Sequence, residues 1–226
     1  MNILFKTNGN SYRPRFVEKC VRNFGKSYNE TVCKVINNST DGLNKEIFRR
    51  NVAMLMPNFL MGRAGPFKGV RYMGGKVRDP RGQITACWDT IGKRAVELRK
   101  IISQYRKGSR GRVIIETPRA VQEEIASQLM RLLSRLSSVC WTENSFGLVG
   151  ASKVLFAVLP EVALPIDNAE WRKVFRTIDY AAIITRMADE IQRWEMSTGT
   201  KFDSCDPGGC LTLPCIYNVM AMKARP

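Results

Sequence analysis

The chain reads as a mostly α-helical, bundle-type globular fold with a basic, glycine-rich loop and at most a short β element. Three observations predict this. Apolar residues recur at three- and four-residue spacing along most of the chain, the signature of helices that each bury one face. The periodic stretches end at glycine or proline, as at Gly25 and Pro57. Strand-like alternation is scarce, and Val113, Ile114 and Ile115 form the one apolar triplet with strand character. With 226 residues, 44% of them hydrophobic, the chain is long enough to bury a core as one domain or two small ones.

Taken in order, residues 13–57 predict two or three amphipathic helices. Phe16, Val17, Cys20, Val21 and Phe24 make the first face, Tyr28, Val32, Val35 and Ile36 the second, and 43–56 the third. Residues 62–82 break the pattern. There Arg63, Lys68, Arg71, Lys76, Arg78 and Arg81 crowd among six glycines, with Phe67 and Tyr72 interleaved. Glycines let backbone N–H groups approach phosphates, the cations neutralise them, and an aromatic ring can stack on a base. The spacing fits neither a Walker A loop nor a dinucleotide fingerprint, so the segment is either a nucleic-acid contact or a disordered basic connection.

Residues 88–105 predict a helix with Lys93, Arg94, Arg99 and Lys100 on a cationic face. Lys107, Arg110 and Arg112 form a second basic turn, and 113–115 follow as a short strand or an apolar lead-in. Thr117 as cap and Pro118 at the first position open a helix to about Val139. Further helices are expected over 150–159, 168–175, 180–196 and 213–222, with no internal repeat. The organisation is a basic helical region, 1–113, and a neutral helical region, 114–226, read as one compact unit.

Charge sharpens the division. The net charge is +16, and 1–113 holds 24 Lys/Arg against 7 Asp/Glu whereas the remainder holds 12 against 13. One positive face concentrates polyanions, so nucleic acid is the expected partner, with DNA ahead of RNA. The chain has no histidine, which excludes Ser-His-Asp and Cys-His nucleophile systems and every histidine-bearing zinc site. The longest apolar runs fall short of the ~20 residues of a membrane span, and the N-terminus lacks a signal-peptide core. The expectation is an intracellular, soluble protein of cytoplasm or nucleoid, with no membrane partner.

Seven cysteines, an odd number without framework spacing, read mostly as reduced apolar residues. Cys205, Cys210 and Cys215 leave alternatives open: a metal site completed by Cys140 or Asp203, inert thiols, or a disulfide within the turn. The x4 spacing without a second pair leads us to expect no metal and no cofactor. Trp88, Trp141, Trp171 and Trp194 all lie at or next to apolar helical positions and read as core, with Trp141, just before the glycine turn, the one to test for stacking on a base.

The most distinctive stretch runs from Phe146 to Asn168. Gly147 and Gly150 permit a tight turn, and a helix starting near Gly150 would aim free N–H groups at a phosphate. Val149-Gly150-Ala151-Ser152-Lys153, followed by Pro165-Ile166-Asp167, resembles the helix-hairpin-helix superfamily of base-excision DNA glycosylases over about 30 residues. The resemblance implies a DNA glycosylase or lyase acting on a flipped nucleotide, with Lys153 attacking the sugar C1′ and Asp167 stabilising the cationic sugar. Beside it stands a plainer reading. Lys153 lies near a helix start with its ammonium in solvent, Asp167 caps the next helix, and the protein is a non-catalytic DNA- or RNA-binding or assembly protein.

Overall fold

The structure is a computed structural model that describes residues 2–39, 42–105 and 111–224. It is mostly α-helical, as expected, with a single two-stranded antiparallel sheet among these residues. Helix α1 (Pro14–Phe24) starts with a proline, whose fixed φ suits the first turn and whose missing N–H would have had no partner there. Gly25, at φ 147°, turns the chain into α2 (Lys26–Asn38). Helix α3 (Lys45–Asn58) is capped by the Asn44 side chain, which accepts from Ile47 N–H at 2.9 Å. Pro57 sits inside its last turn instead of ending it. The turn still closes C-terminal to the proline, with Phe59 N–H donating to the Leu55 carbonyl and Leu60 N–H to the Pro57 carbonyl.

The β element lies elsewhere than expected. Strands β1 (Arg71–Met73) and β2 (Lys76–Arg78) form a hairpin within the basic loop. Val113, Ile114 and Ile115 belong instead to a buried helical turn, α5 (Val113–Glu116). With no strand alongside, their amides bond locally, Ile115 and Glu116 donating to the Arg112 carbonyl at 2.9 and 2.8 Å. Thr117 closes α5, its hydroxyl donating to the Val113 carbonyl at 2.9 Å, and Pro118 rather than Thr117 holds the cap position of α6 (Arg119–Val139).

The remaining elements are α4 (Gln83–Gln104), α7 (Leu148–Val158), a π-helical segment (Glu170–Phe175), α8 (Tyr180–Thr198) and α9 (Leu213–Lys223). Helix α6 packs on α4, α7 and α8, and α3 packs on α2, α4 and α7. Helix α7 is enclosed from Val149 to Val158, as its nearly all-apolar sequence requires. One hydrophobic core runs from Ile3 to Ala221 and draws on both sides of residue 113. Among the described residues no helix is long and apolar enough to cross a membrane.

Buried polar groups tie this core together. The Glu190 carboxylate accepts from Leu4 N–H at 2.6 Å and from the Tyr217 hydroxyl at 2.8 Å, joining the N-terminus, α8 and α9. Arg99 is only 3% exposed and bonds Glu161 and the Ser39 carbonyl. The cationic face of α4 therefore consists of Lys93, Arg94 and Lys100 without Arg99, because an arginine this deeply buried needs a carboxylate. Cys210 forms a disulfide with Cys33 on α2, across 177 residues, leaving Cys205 and Cys215 as separate buried thiols. The three are thus not one ligand set, and among the described residues no group of three His, Cys, Asp or Glu is placed to hold a metal ion.

Candidate nucleic-acid interface

The basic loop is built, not loose. Gly74 and Gly75 take φ of 57° and 77°, the left-handed pair that a two-residue hairpin turn requires. The register sets Arg71 opposite Arg78, Tyr72 opposite Val77 and Met73 opposite Lys76. Period-two alternation does the rest: Tyr72 and Val77 are half-buried where the hairpin packs on α3, and Arg71, Met73, Lys76 and Arg78 face outward, exposed. At the hairpin's end, Asp79 accepts from the Ile84 and Thr85 amides at 3.0 and 3.2 Å, tying β2 to the start of α4. Phe67, proposed to stack on a base, is fully buried and lies against Gly150 instead.

Two cationic grooves flank the hairpin. One, of about 590 Å³, is lined by Lys45, Glu46, Arg49, Arg50, Tyr72 and Lys76. The other, of about 380 Å³, is lined by Leu60, Arg63, Arg71 and Arg78 among others. Leu60 holds φ 59°, a left-handed backbone uncommon for a branched residue, at the lip of the second groove. Among the described residues no carboxylate pairs with Arg49, Arg50, Arg63, Lys68, Arg71, Lys76 or Arg78; Lys45 reaches Asp89 at 3.8 Å. The Nε atoms of Arg49 and Arg50 are buried without a hydrogen-bond partner. Lys45, Arg49 and Arg50 were not among the expected contacts, and the signal was available: Lys45 and Arg49 are four apart, on one face of α3.

The other expected contacts divide. Lys68 is exposed beside the hairpin, and exposed Arg81 donates to the Gly65 carbonyl at 3.2 Å. Lys107 and Arg110 lie outside the described residues. Arg112 is no phosphate contact: it is 8% exposed and bonds Glu116, Glu195 and Asp203. The Glu195 hydrogen bond is the largest cause that raises its pKa above the ordinary arginine value, ahead of the opposing effect of burial. Its neighbours in sequence are basic, but its neighbours in space are acids, which spacing alone does not reveal.

Gly147 and Gly150 are buried, and this corrects the phosphate-cradle reading. Gly147 is the residue before α7, at φ 76°, and a Cβ there would collide with the Ser137 carbonyl at the end of α6. A Cβ on Gly150 would lie 2.9 Å from that of Cys140. Both glycines serve close helix packing.

Lys153 and Asp167 do meet. The Lys153 ammonium bonds the Asp167 carboxylate and lies 4.8 Å from the centre of the Phe59 ring. The lysine is thus not a solvated ammonium at a helix start. Their side chains are 4% and 37% exposed, so the carboxylate reaches the surface and the amine does not. Ser152, next to Lys153, accepts from Ile166 N–H at 3.1 Å, holding the two segments together. Trp141 is 54% exposed and packs edge-on against Phe146 with ring centres 5.4 Å apart; Trp88 is half-buried, and Trp171 and Trp194 are buried.

Comparison of the chain with protein-family models, with curated proteins and with solved structures found no match.

Proposed function

We propose that the protein binds nucleic acid, duplex DNA ahead of RNA, through the face built from the β1–β2 hairpin and α3. The single observation that carries this is the juxtaposition of Arg71 and Arg78 on the hairpin's outer face, where both line one groove with Arg63, with no carboxylate paired to any of the three among the described residues. Like charges placed opposite each other on a sheet destabilise it unless an anion bridges them, and regularly spaced phosphates are such anions. A two-stranded ribbon also fits a DNA groove. Here its tip presents exposed Met73 opposite Lys76 and next to Arg71 on the outer face, a pattern suited to wedging beside base pairs.

The arrangement favours binding without base-excision chemistry. An amine that attacks a sugar carbon must be reachable, and Lys153 is enclosed by Asp167 and Phe59. Two experiments test the reading. Fluorescence anisotropy against duplex DNA at several salt concentrations is expected to give a steep fall of log K with log salt, shallower in the Arg71→Ala/Arg78→Ala variant by roughly two contacts' worth, about 0.9 each. A flat salt dependence would sink the proposal. Borohydride incubation with lesion-bearing duplexes is expected to trap nothing, and an adduct lost in Lys153→Ala would restore the lyase reading.

A further inference from the structure

Away from the hairpin, a pocket of about 450 Å³ opens between the 144–148 turn and the π-helical segment. Its lining includes Asn144, Phe146, Asn168, Trp171, Arg172 and Arg176, and no carboxylate. Three features set it apart. Only three non-glycine residues among those described have positive φ, and two, Phe146 at 48° and Arg176 at 56°, line this pocket. Such backbone is costly for a residue with a side chain and concentrates at ligand sites. The second feature is the π-turn, closed by Arg176 N–H on the Trp171 carbonyl at 3.0 Å, a widened geometry that is rare and frequent at functional sites. Third, the buried Trp171 indole N–H has no hydrogen-bond acceptor.

Arg176 is the telling residue. It ends the π-turn in the left-handed conformation where glycine is favoured, yet it carries an exposed cation. Arg172 stands beside it, steadied by the Asn144 carbonyl at 3.1 Å. Phe146 is 58% exposed, and Asn168 offers an amide that both donates and accepts. Two cations call for a doubly charged anion, the exposed Phe146 ring for an aromatic group, and the Asn168 amide for ring-edge acceptors and donors that a plain phenyl ring lacks.

We infer that this pocket binds a nucleoside monophosphate group, the phosphate on Arg172 and Arg176 and the base against Phe146 with its edge toward Asn168 and Trp171. The group is either a free mononucleotide or an unpaired nucleotide of a strand. The inference goes beyond the hairpin interface and does not depend on it.

The test is titration calorimetry of the full chain with each of the four common nucleoside monophosphates and with single-stranded tetranucleotides. Saturable binding of at least one probe is expected, weakened at least ten-fold in Arg176→Gly and several-fold in Trp171→Phe. Arg176→Gly removes the charge while relieving the left-handed backbone, so its Tm is expected to equal or exceed the wild type, which separates lost recognition from lost folding. Arg71→Ala/Arg78→Ala is expected to leave mononucleotide binding unchanged, so failure of the hairpin proposal and failure of this one are told apart. Mononucleotides binding as tightly as tetranucleotides identify the free ligand, and tetranucleotides binding more tightly, with the same loss in Arg176→Gly, identify the strand. No binding of any probe at millimolar concentration, or equal affinity in Arg176→Gly, would overturn the inference.

Discussion

Lys153 and Asp167, fourteen residues apart in the chain, form an ion pair in which the lysine is enclosed and the aspartate reaches solvent. The two halves of the pair are therefore not equivalent. Asp167→Asn leaves an ammonium buried without its counter-charge and is expected to cost about 2–4 kcal/mol. Lys153→Met fills the same space with apolar atoms and leaves a carboxylate that water can reach, at a cost below about 1 kcal/mol. Urea unfolding of both variants measures the order, and the reverse order would contradict the geometry.

Arg71 and Arg78 predict effects of opposite sign on folding and on binding. Replacing Arg78 with threonine removes a like-charge pair and introduces a good strand former, so the free protein gains roughly 0.2–0.5 kcal/mol. The same variant binds duplex DNA more weakly. Thermal melts with and without DNA show both, and a variant destabilised when free would mean that Arg78 has a structural partner.

Gly147→Ala meets two obstacles, a left-handed backbone and the Ser137 carbonyl. The expected cost is about 2–4 kcal/mol, above the ~1–2 kcal/mol of the backbone alone. A phosphate-cradling glycine would behave otherwise, losing DNA affinity with little change in Tm. The ratio of the two effects separates packing from recognition.

Reduction bears on the Cys33–Cys210 link. Closing a loop between residues 177 apart stabilises by roughly 5 kcal/mol in the chain-entropy description. Cys33→Ser/Cys210→Ser is expected to melt well below the oxidised wild type, and a dithiol reductant to lower the wild-type Tm toward that of the variant. A variant whose own Tm then falls further on reduction would point to a second disulfide.

At alkaline pH, burial pushes the Cys205 and Cys215 thiols up to about 12 from an ordinary value of 9.0. The folded state keeps these protons where the unfolded chain releases them, so their stabilising effect is intact below pH 9 and lost as pH rises toward 12. Each thiol contributes a decline of about 1.4 kcal/mol per pH unit within that window. Tm measured from pH 8 to 11 is expected to fall less steeply in Cys215→Ala; equal slopes would refute the assignment to Cys215.

Most helices were legible because periodic apolar spacing and glycine or proline boundaries are local properties, as along 14–24 and 180–198. The 113–115 triplet reads equally as a short strand or an apolar lead-in because a short apolar run carries no period, and the structure makes it a helical turn leading into the next helix. The cationic surface was half legible. Runs of arginine mark a charged segment, but whether one arginine meets phosphate or glutamate depends on what folds against it, as Arg99 and Arg112 show.

Composition and local pattern alone determined the helical class, the basic first half and the exclusion of histidine chemistry, because each depends on residue type and short-range spacing. Tertiary structure decided which charges are free. It brought Glu161 to Arg99 and Glu195 to Arg112, turned Gly147 and Gly150 into packing glycines, and left Arg71 facing Arg78 with no acid between them. It also placed Phe146 and Arg176 in the wall of one pocket, thirty residues apart in the chain. The physical reason is range: periodicity acts over a few residues, whereas burial and ion pairing act between segments that only the folded chain brings together.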